Sequence, residues 1–312
     1  MPLALAVDFG GTKVESALVT EDGTVVAGSR HRTPTGREAT SEALQASVRE
    51  VVDRALDAAG ETELAGVGIG SAGPIDRVKG LVSPLNVPAW RDYPMRELVT
   101  RALAQRGIDV PVTLEMDGVA ITMAEHWVGA AQGVDNVMGM VVSTGIGGGL
   151  IVGGRVITGP TGNAGHIGHI EVAGMEGEDT FDKATSLEAI ASGPHTVAWA
   201  RKHGFAGSTG EDLAAAYAAG DAVARAAVER CGRAVGQAIS SATALLDLEL
   251  VAIGGGFSQV ASHLFEVIDA TVAEHYFPFV RKVRVVPSGL SGEGPLIGAG
   301  ALVHRAELLP PL

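Results

Sequence analysis

Two stretches of this chain have a composition that invites an anion: Asp8-Phe9-Gly10-Gly11-Thr12-Lys13 and Ser143-Thr144-Gly145-Ile146-Gly147-Gly148-Gly149. Each reads as a strand, a glycine-rich turn and a return strand. Glycine lacks a Cβ and admits φ > 0, so such a turn can aim several backbone N–H groups at one phosphate chain. The plainer alternative is a tight hairpin that merely needs glycine. An acidic residue beside a phosphate-cradling turn makes sense only with a cation between them. Mg²⁺ prefers oxygen ligands and keeps several waters, so Asp8 could hold it through water; an Asx-type turn is the other reading. Thr12 can donate a hydroxyl hydrogen bond to a phosphate, and Lys13 either adds positive charge there or faces solvent.

Asp117 follows a strand, 113–116, and heads a helical pattern. Locally it reads as an N-cap. It also reads as a general base that would orient an acceptor hydroxyl and take its proton while Mg²⁺ and backbone dipoles stabilise a transferring phosphoryl group. The two roles are compatible. A third cluster, Gly254-Gly255-Gly256, lies between a strand and a helix, where a flat ligand or a phosphate can lie against backbone. It lacks the GxGxxG spacing of a dinucleotide fold.

The elements that must position these residues alternate between sheet and helix. Strands are expected at 3–7, 14–19 and 24–32, with Asp22-Gly23 as a hairpin turn. At 42–59, Leu44, Val48, Val51, Val52, Ala55 and Leu56 recur at helical spacing and Gly60 ends the helix. A strand at 64–69 and a helix near 95–105 follow. The pattern then repeats: strand 112–116, helix 118–131, and strands at 137–142, 149–152 and 155–157. Helices are expected at 186–203, 210–219 and 221–246. A strand at 249–253, a helix at 258–276, a strand at 283–286 and a helix at 295–307 complete the chain. This predicts two α/β halves around a central cleft: a first domain over 1–112, with the last helix, about 295–312, packing back on it, and a second over 113–294.

Composition narrows the function. With 312 residues there is enough chain for two full cores. A net charge of −13 argues against nucleic acid as a partner. A single cysteine, Cys231, excludes an intramolecular disulfide and any multi-thiolate metal site. No apolar run reaches membrane-spanning length, and the opening residues carry no leader pattern, so a cytoplasmic protein without a membrane partner is expected. The helix over 221–246 has an apolar content that suits either a homodimer face or a core.

Taken together, these motifs resemble those of the ROK family of sugar kinases, within the actin-like ATPase (ribonuclease H-like) superfamily. The resemblance covers nearly the whole chain. It implies ATP and Mg²⁺ as cofactors, with Asp8, Gly10, Gly11, Thr12 and Lys13 forming one phosphate motif. Thr144, Gly145, Gly147 and Gly148 form the second, and Gly255 and Gly256 lie near the adenosine. It makes Asp117 the catalytic base. It places Gly73, Asn86, Met116, His166, His169 and Glu188 on the sugar side. Family repressors carry a DNA-binding segment before the first motif; here seven residues precede Asp8, so an enzyme is expected.

The departures are informative. The family usually has Asn before the catalytic Asp, where this chain has Met116. It usually reads Ala-Gly-Glu-x-Gly-His, where this chain has Ala164-Gly165-His166-Ile167-Gly168-His169. Asp179, Phe181 and Ser186 stand where many members carry zinc-binding cysteines, so no structural zinc is expected. Neutral His offers one donor and one acceptor where a carboxylate offers acceptors only. The expected reaction is ATP-dependent phosphorylation of a primary hydroxyl on a hexose or a sugar-like cyclitol. The alternative is a catalytically silent sensor of the same fold, although a sensor has no need of a base.

Overall fold

The computed structural model describes residues 2–175, 177, 184–290 and 292–311. It is a mixed α/β structure with two five-stranded sheets. The chain divides into two compact units, 1–133 with 149–165 and 289–312, and 134–148 with 166–288. Residues 113–133, which the sequence reading assigns to the second half, group with the first unit.

The first unit opens with β1 (Leu3–Phe9), β2 (Lys13–Val19) and β3 (His31–Pro34), followed by α1 (Ser41–Ala59) and β4 (Leu64–Ser71). A small ribbon, β5 (Ile75–Asp76) and β6 (Leu81–Val82), precedes α2 (Met95–Ala104), β7 (Val112–Met116) and α3 (Asp117–Val128). Then come β8 (Val137–Val142), β9 (Ile146–Val152) and β10 (Arg155–Ile157). The second unit's helices are α4 (Leu187–Ala191), α5 (Gly193–Lys202), α6 (Gly210–Ala218) and α7 (Ala222–Leu246). β11 (Leu250–Gly254), α8 (His263–Ala273), β12 (Arg284–Pro287) and α9 (Gly294–His304) complete the order. The sheets run β3-β2-β1-β4-β7 and β10-β9-β8-β11-β12.

Helix α1 shows why the pattern works. The Thr40 hydroxyl caps it by accepting from Ala43 N at 3.2 Å, and Gly60, at φ 58°, ends it. Its buried positions are the six apolar residues whose spacing predicts them. In the second unit, α7 is capped by Asp221, which accepts from Ala224 N at 2.8 Å, and ended by Asp247 in the left-handed region at φ 52°. A Cβ at Gly232 or Gly236 would press on Val267 or Thr271 of α8, so these glycines let the two helices approach closely.

Four expected elements change. The strand at 24–32 shrinks to β3, with a single bridge pairing Val25 to Val19. The helix at 186–203 is broken at Ser192, an extended residue that precedes Gly193-Pro194, and becomes α4 and α5. The helix at 258–276 starts late, because Gly256–Gln259 forms a separate 3₁₀ turn. The strand expected at 149–152 begins earlier, so Gly147 and Gly148 are strand residues of β9 rather than turn residues.

Helix α9 packs on the first sheet, with Leu296 and Ala299 against Ala6, Ala17 and Val19. The contact depends on Gly68 of β4, where a Cβ would run into the carbonyl oxygen of Ala299. Backbone cannot move aside as a side chain does. Gly68→Ala should therefore destabilise the chain by about 1–3 kcal/mol, read from urea unfolding midpoints.

Candidate active site

In the first unit the parallel strands β1, β4 and β7 end side by side. Asp8 of β1 is in register with Gly70 of β4, and Gly70 with Glu115 of β7; Asp117 follows two residues later. Open α/β sheets bind ligands at such carboxyl ends. Gly70 makes the room: a Cβ there would lie 3.2 Å from Ala120 Cβ and 3.7 Å from Asp117 Cα. Asp8 is buried, at 8% exposure. Burial pushes its carboxyl up to about 7, the Asp117 charge pushes the same way, and Lys13 opposes both. Burial also raises Asp117 to about 6, against the stabilising N–H of Gly118.

Asp117 is the first residue of α3 rather than its cap. Its Oδ1 accepts from Gly118 N at 2.7 Å, which holds the carboxylate at the mouth of the helix. The residue in the cap position, Met116, makes no side-chain cap bond and is 2% exposed, so its thioether packs inside the first unit.

The turn after β1 is tied on both sides. Gly10 N donates to Lys13 O at 2.9 Å, Thr35 N donates to Thr12 O at 2.9 Å, and Thr35 Oγ1 donates to Gly10 O at 2.8 Å. Neither Gly10 nor Gly11 has positive φ. The reason for glycine is proximity: a Cβ on Gly11 would come within 2.8 Å of Asn86 Cβ. The phosphate turn thus rests on the segment that carries Asn86. Phe9 and Trp90 continue that contact, stacked at 4.8 Å, and Ala72 N donates to Phe9 O at 2.9 Å, bringing in the loop that holds Gly73. Thr12 is exposed. The Lys13 ammonium is bound 2.5 Å from Glu15 Oε2, and Arg30 and Arg32 hold the other oxygen of that buried carboxylate. Lys13 therefore spends its charge on Glu15.

The second unit has its own constellation. Ser143 N donates to Gly145 O at 2.9 Å and closes a turn that exposes Thr144. Ile146 N donates to Glu188 Oε2 at 2.7 Å, and a Cβ on Gly145 would sit 2.6 Å from that oxygen. Glu188 thus fastens the glycine turn. Open space lies beside Gly147, where a Cβ would meet nothing within 4 Å. Gly255, at φ 96°, passes so close to β8 that a Cβ would lie 2.5 Å from Val142 O; Gly256 is 3.9 Å from Ser143 Oγ by the same measure. Gly193 N donates to Ser143 O at 2.8 Å, so the start of α5 joins both turns.

His166 and His169 bracket a 3₁₀ turn, Ile167–His169, with ring centroids 5.5 Å apart in an edge-to-face arrangement. Burial, and then the neighbouring His169, push the His166 pKa below its ordinary value, so the ring is neutral at neutral pH. Of the residues standing at the family's zinc-cysteine positions, Ser186 is buried and caps α4 by accepting from Ala189 N at 3.2 Å. Asp179 and Phe181 lie outside the described residues.

Sequence reasoning did not single out Glu15, Glu115, Arg77 or Asn163. A charged residue inside an apolar strand, as in Lys13-Val14-Glu15-Ser16-Ala17, is the signal that would have found Glu15.

Comparison with known proteins matches the ROK family profile to residues 4–306. A glucokinase from Thermotoga maritima is 29% identical over 96% of this chain and 97% of its own. An N-acetylmannosamine kinase from Yersinia pseudotuberculosis is 31% identical over 99% of this chain and 100% of its own. The crystal structure of a ROK family glucokinase from Streptomyces griseus, in complex with glucose and AMPPNP, superposes with a TM-score of 0.80 at 26% identity, covering 97% of this chain and 99% of that one. The fold is that of the actin-like ATPases.

The paired carboxyls make stability depend on pH. Both titrate higher in the folded chain than the ordinary 3.8, so between about 4 and 7 the folded state holds the extra protons. Stability therefore falls as pH rises through that window. In metal-free buffer near pH 8, Asp8→Asn should be more stable than the parent by about 1–3 kcal/mol, and the difference should vanish near pH 4; urea melts at the two pH values check it.

Proposed function

The chain belongs to the ROK family, and from that premise we propose that it is an ATP-dependent kinase for the primary hydroxyl of a hexose or a sugar-like cyclitol. The observation that carries this reading is the pair of carboxyls, Asp8 and Asp117, beside the glycine turn at the carboxyl ends of β1 and β7. Relatives named as glucokinase and N-acetylmannosamine kinase support a sugar acceptor, and the relative crystallised with AMPPNP supports ATP.

Asp117 is assigned the base. A carboxyl that titrates near 6 is ionised at neutral pH, yet is basic enough to draw a proton from a hydroxyl as the oxygen attacks. Its bond to Gly118 N leaves Oδ2 for the substrate. The donor set suits Mg²⁺: Asp8 is a desolvated carboxylate beside a second acid, and Mg²⁺ characteristically takes one or two carboxylates and keeps waters. When bound, Mg²⁺ would supply charge neutralisation to the donor phosphates. Backbone N–H groups of the Gly10-Gly11-Thr12 turn are assigned to the transferred phosphoryl group. Thr144, Gly145, Gly147 and Gly148 are assigned to the remaining phosphates, and Gly255 and Gly256 to the adenosine.

On the acceptor side, a neutral His166 brings one donor and one acceptor where a carboxylate would bring acceptors only. That suits a ring whose substituents differ from those of glucose, such as an acetamido sugar or a C7 cyclitol. Gly73, Asn86, His169 and Glu188 complete the assignment. Glu188 acts through its bond to Ile146 N, and Met116 acts by packing. A cytoplasmic homodimer remains part of the proposal; no helix among the described residues is long and apolar enough to cross a membrane.

The test is coupled ADP release with ATP and Mg²⁺ over a panel of glucose, mannose, N-acetylmannosamine and C7 cyclitols. At least one acceptor should turn over. ATP binding with no turnover on any of them would point instead to a sensor. Asp117→Asn should lower kcat by about 10²–10⁴-fold and leave the ATP Kd within about threefold. In the parent, kcat/KM should fall about tenfold per pH unit below about 6, as Asp117 takes up its proton. Full activity in Asp117→Asn would remove the base assignment.

A further inference from the structure

Arg77 follows β5 in the loop that leaves β4, and its side chain is nine-tenths buried. Its guanidinium meets three acceptors at once. Nε donates to Glu115 Oε1, Nη1 to Pro311 O at 3.0 Å and Nη2 to Pro310 O at 2.6 Å. Glu115 is fully buried, and its second oxygen, Oε2, has no hydrogen-bond partner among the described residues. The neutralisation of this carboxylate therefore rests on Arg77. Glu115 is also the last polar residue of β7 before Asp117, in register with Gly70, which in turn is in register with Asp8.

The other end of Arg77 belongs to the acceptor side. Asn163 clamps the backbone two residues earlier: Ile75 N donates to its Oδ1 at 2.9 Å and its Nδ2 donates to Ile75 O at 2.8 Å. A Cβ on Gly162, which sits at φ 88°, would lie 2.7 Å from Arg77 Cβ, so the 158–165 loop lies directly on the arginine stem. Arg96 Nη1 donates to Arg77 O at 3.2 Å and Arg96 Nη2 to Val78 O at 2.6 Å. One side chain thus joins the loop that carries Gly73, the 158–165 loop and the strand that delivers Asp117.

We propose that Arg77 is a positioning residue, whose planar fork fixes the strand end that carries Asp117 against the acceptor loop by holding Glu115 and the carbonyls of residues 310 and 311 together. A fork of fixed geometry does this where an ammonium cannot, because Lys offers a point charge with rotating donors. Displacing a base by about 1 Å is enough to slow transfer heavily, since the hydroxyl and the phosphoryl group must stay aligned. The inference rests on the kinase reading above.

Two variants test it. Arg77→Lys keeps the buried cation and loses the fork. Arg77→Met with Glu115→Gln removes both charges at similar volume, a replacement that buried ion pairs tolerate well. Both should fold, checked by near-UV circular dichroism. With the best acceptor from the panel, kcat should fall about tenfold and the acceptor KM should rise severalfold, while the ATP KM stays within about twofold. If only one variant folds, that one decides. Parental kcat and acceptor KM in a folded variant would overturn the assignment, and so would an ATP KM that rises in step with the acceptor KM. Parental turnover is the separate control for the kinase reading. Were it absent, calorimetric titration of the same proteins with ATP and with the panel sugars would decide: sugar binding weakened with ATP binding intact supports the inference, and unchanged sugar binding overturns it.

Discussion

Two carboxyls brought close together out of water govern the first unit. An ionised carboxylate loses solvation on burial, so both Asp8 and Asp117 hold their protons to higher pH than an exposed acid would, and the Asp117 charge raises Asp8 further. The chain accepts this cost where the parallel strands β1, β4 and β7 end side by side. The surrounding contacts hold the strand ends that carry them. Gly70 leaves room for Ala120 of α3 to sit close, Gly118 N draws the Asp117 carboxylate to the helix mouth, and α9 packs on the sheet through Gly68. Perturbed acids of this kind gather at functional sites, because a base that is easily protonated is also one that takes a proton readily.

The glycines make the same point in geometry. Turns rich in glycine suggest a need for positive φ, and at Gly255 that need is real. At Gly11, Gly145 and Gly149 it is absent, and what glycine provides is closeness: to Asn86, to Glu188 and to the Gly118 carbonyl respectively. A motif that reads as a flexible cradle is a tightly packed one, with few directions left in which its N–H groups can point. Preorganised dipoles of that sort act without having to reorganise as the reaction proceeds.

How much of this is legible in the sequence follows from the range of the interactions. The six buried positions of α1 are legible because helical periodicity is local. So are the two glycine turns and the order of strands that carries Asp8 and Asp117. The break at Ser192 is written in Gly193-Pro194, but the apolar pattern runs through it and hides it. The role of Glu188 is hidden for a different reason, since its partner Ile146 is forty-two residues away. Arg77 is harder still. Its partners stand at 115, 310 and 311, and only the closure of β4, β7 and the final segment around one another brings them together. Buried ion pairs leave no periodic trace, because their partners are set by topology rather than by spacing.

Charge sets the last constraint. The chain carries a net charge of −13, yet the proposed donor is a polyanion. The cations around the first glycine turn are committed: Lys13, Arg30 and Arg32 all close on Glu15, and the Lys13 and Arg30 charges also act on Asp8. Farther along the same strand ends, Arg77 is committed to Glu115. The protein thus offers a triphosphate a set of oriented N–H groups but little surplus side-chain charge. Backbone dipoles can orient an anion and lower its energy once it has lost its water, but they cannot offset a long-range repulsive field. In the proposed kinase that task falls to a divalent cation arriving with the donor. Its arrival would also relieve Asp8, whose carboxylate is costly only while it has no counter-charge. In that reading the burial that raises Asp8 in the free chain would become part of the affinity for the metal-bound donor, and the proposed kinase would need no arginine cluster of its own to attract phosphate.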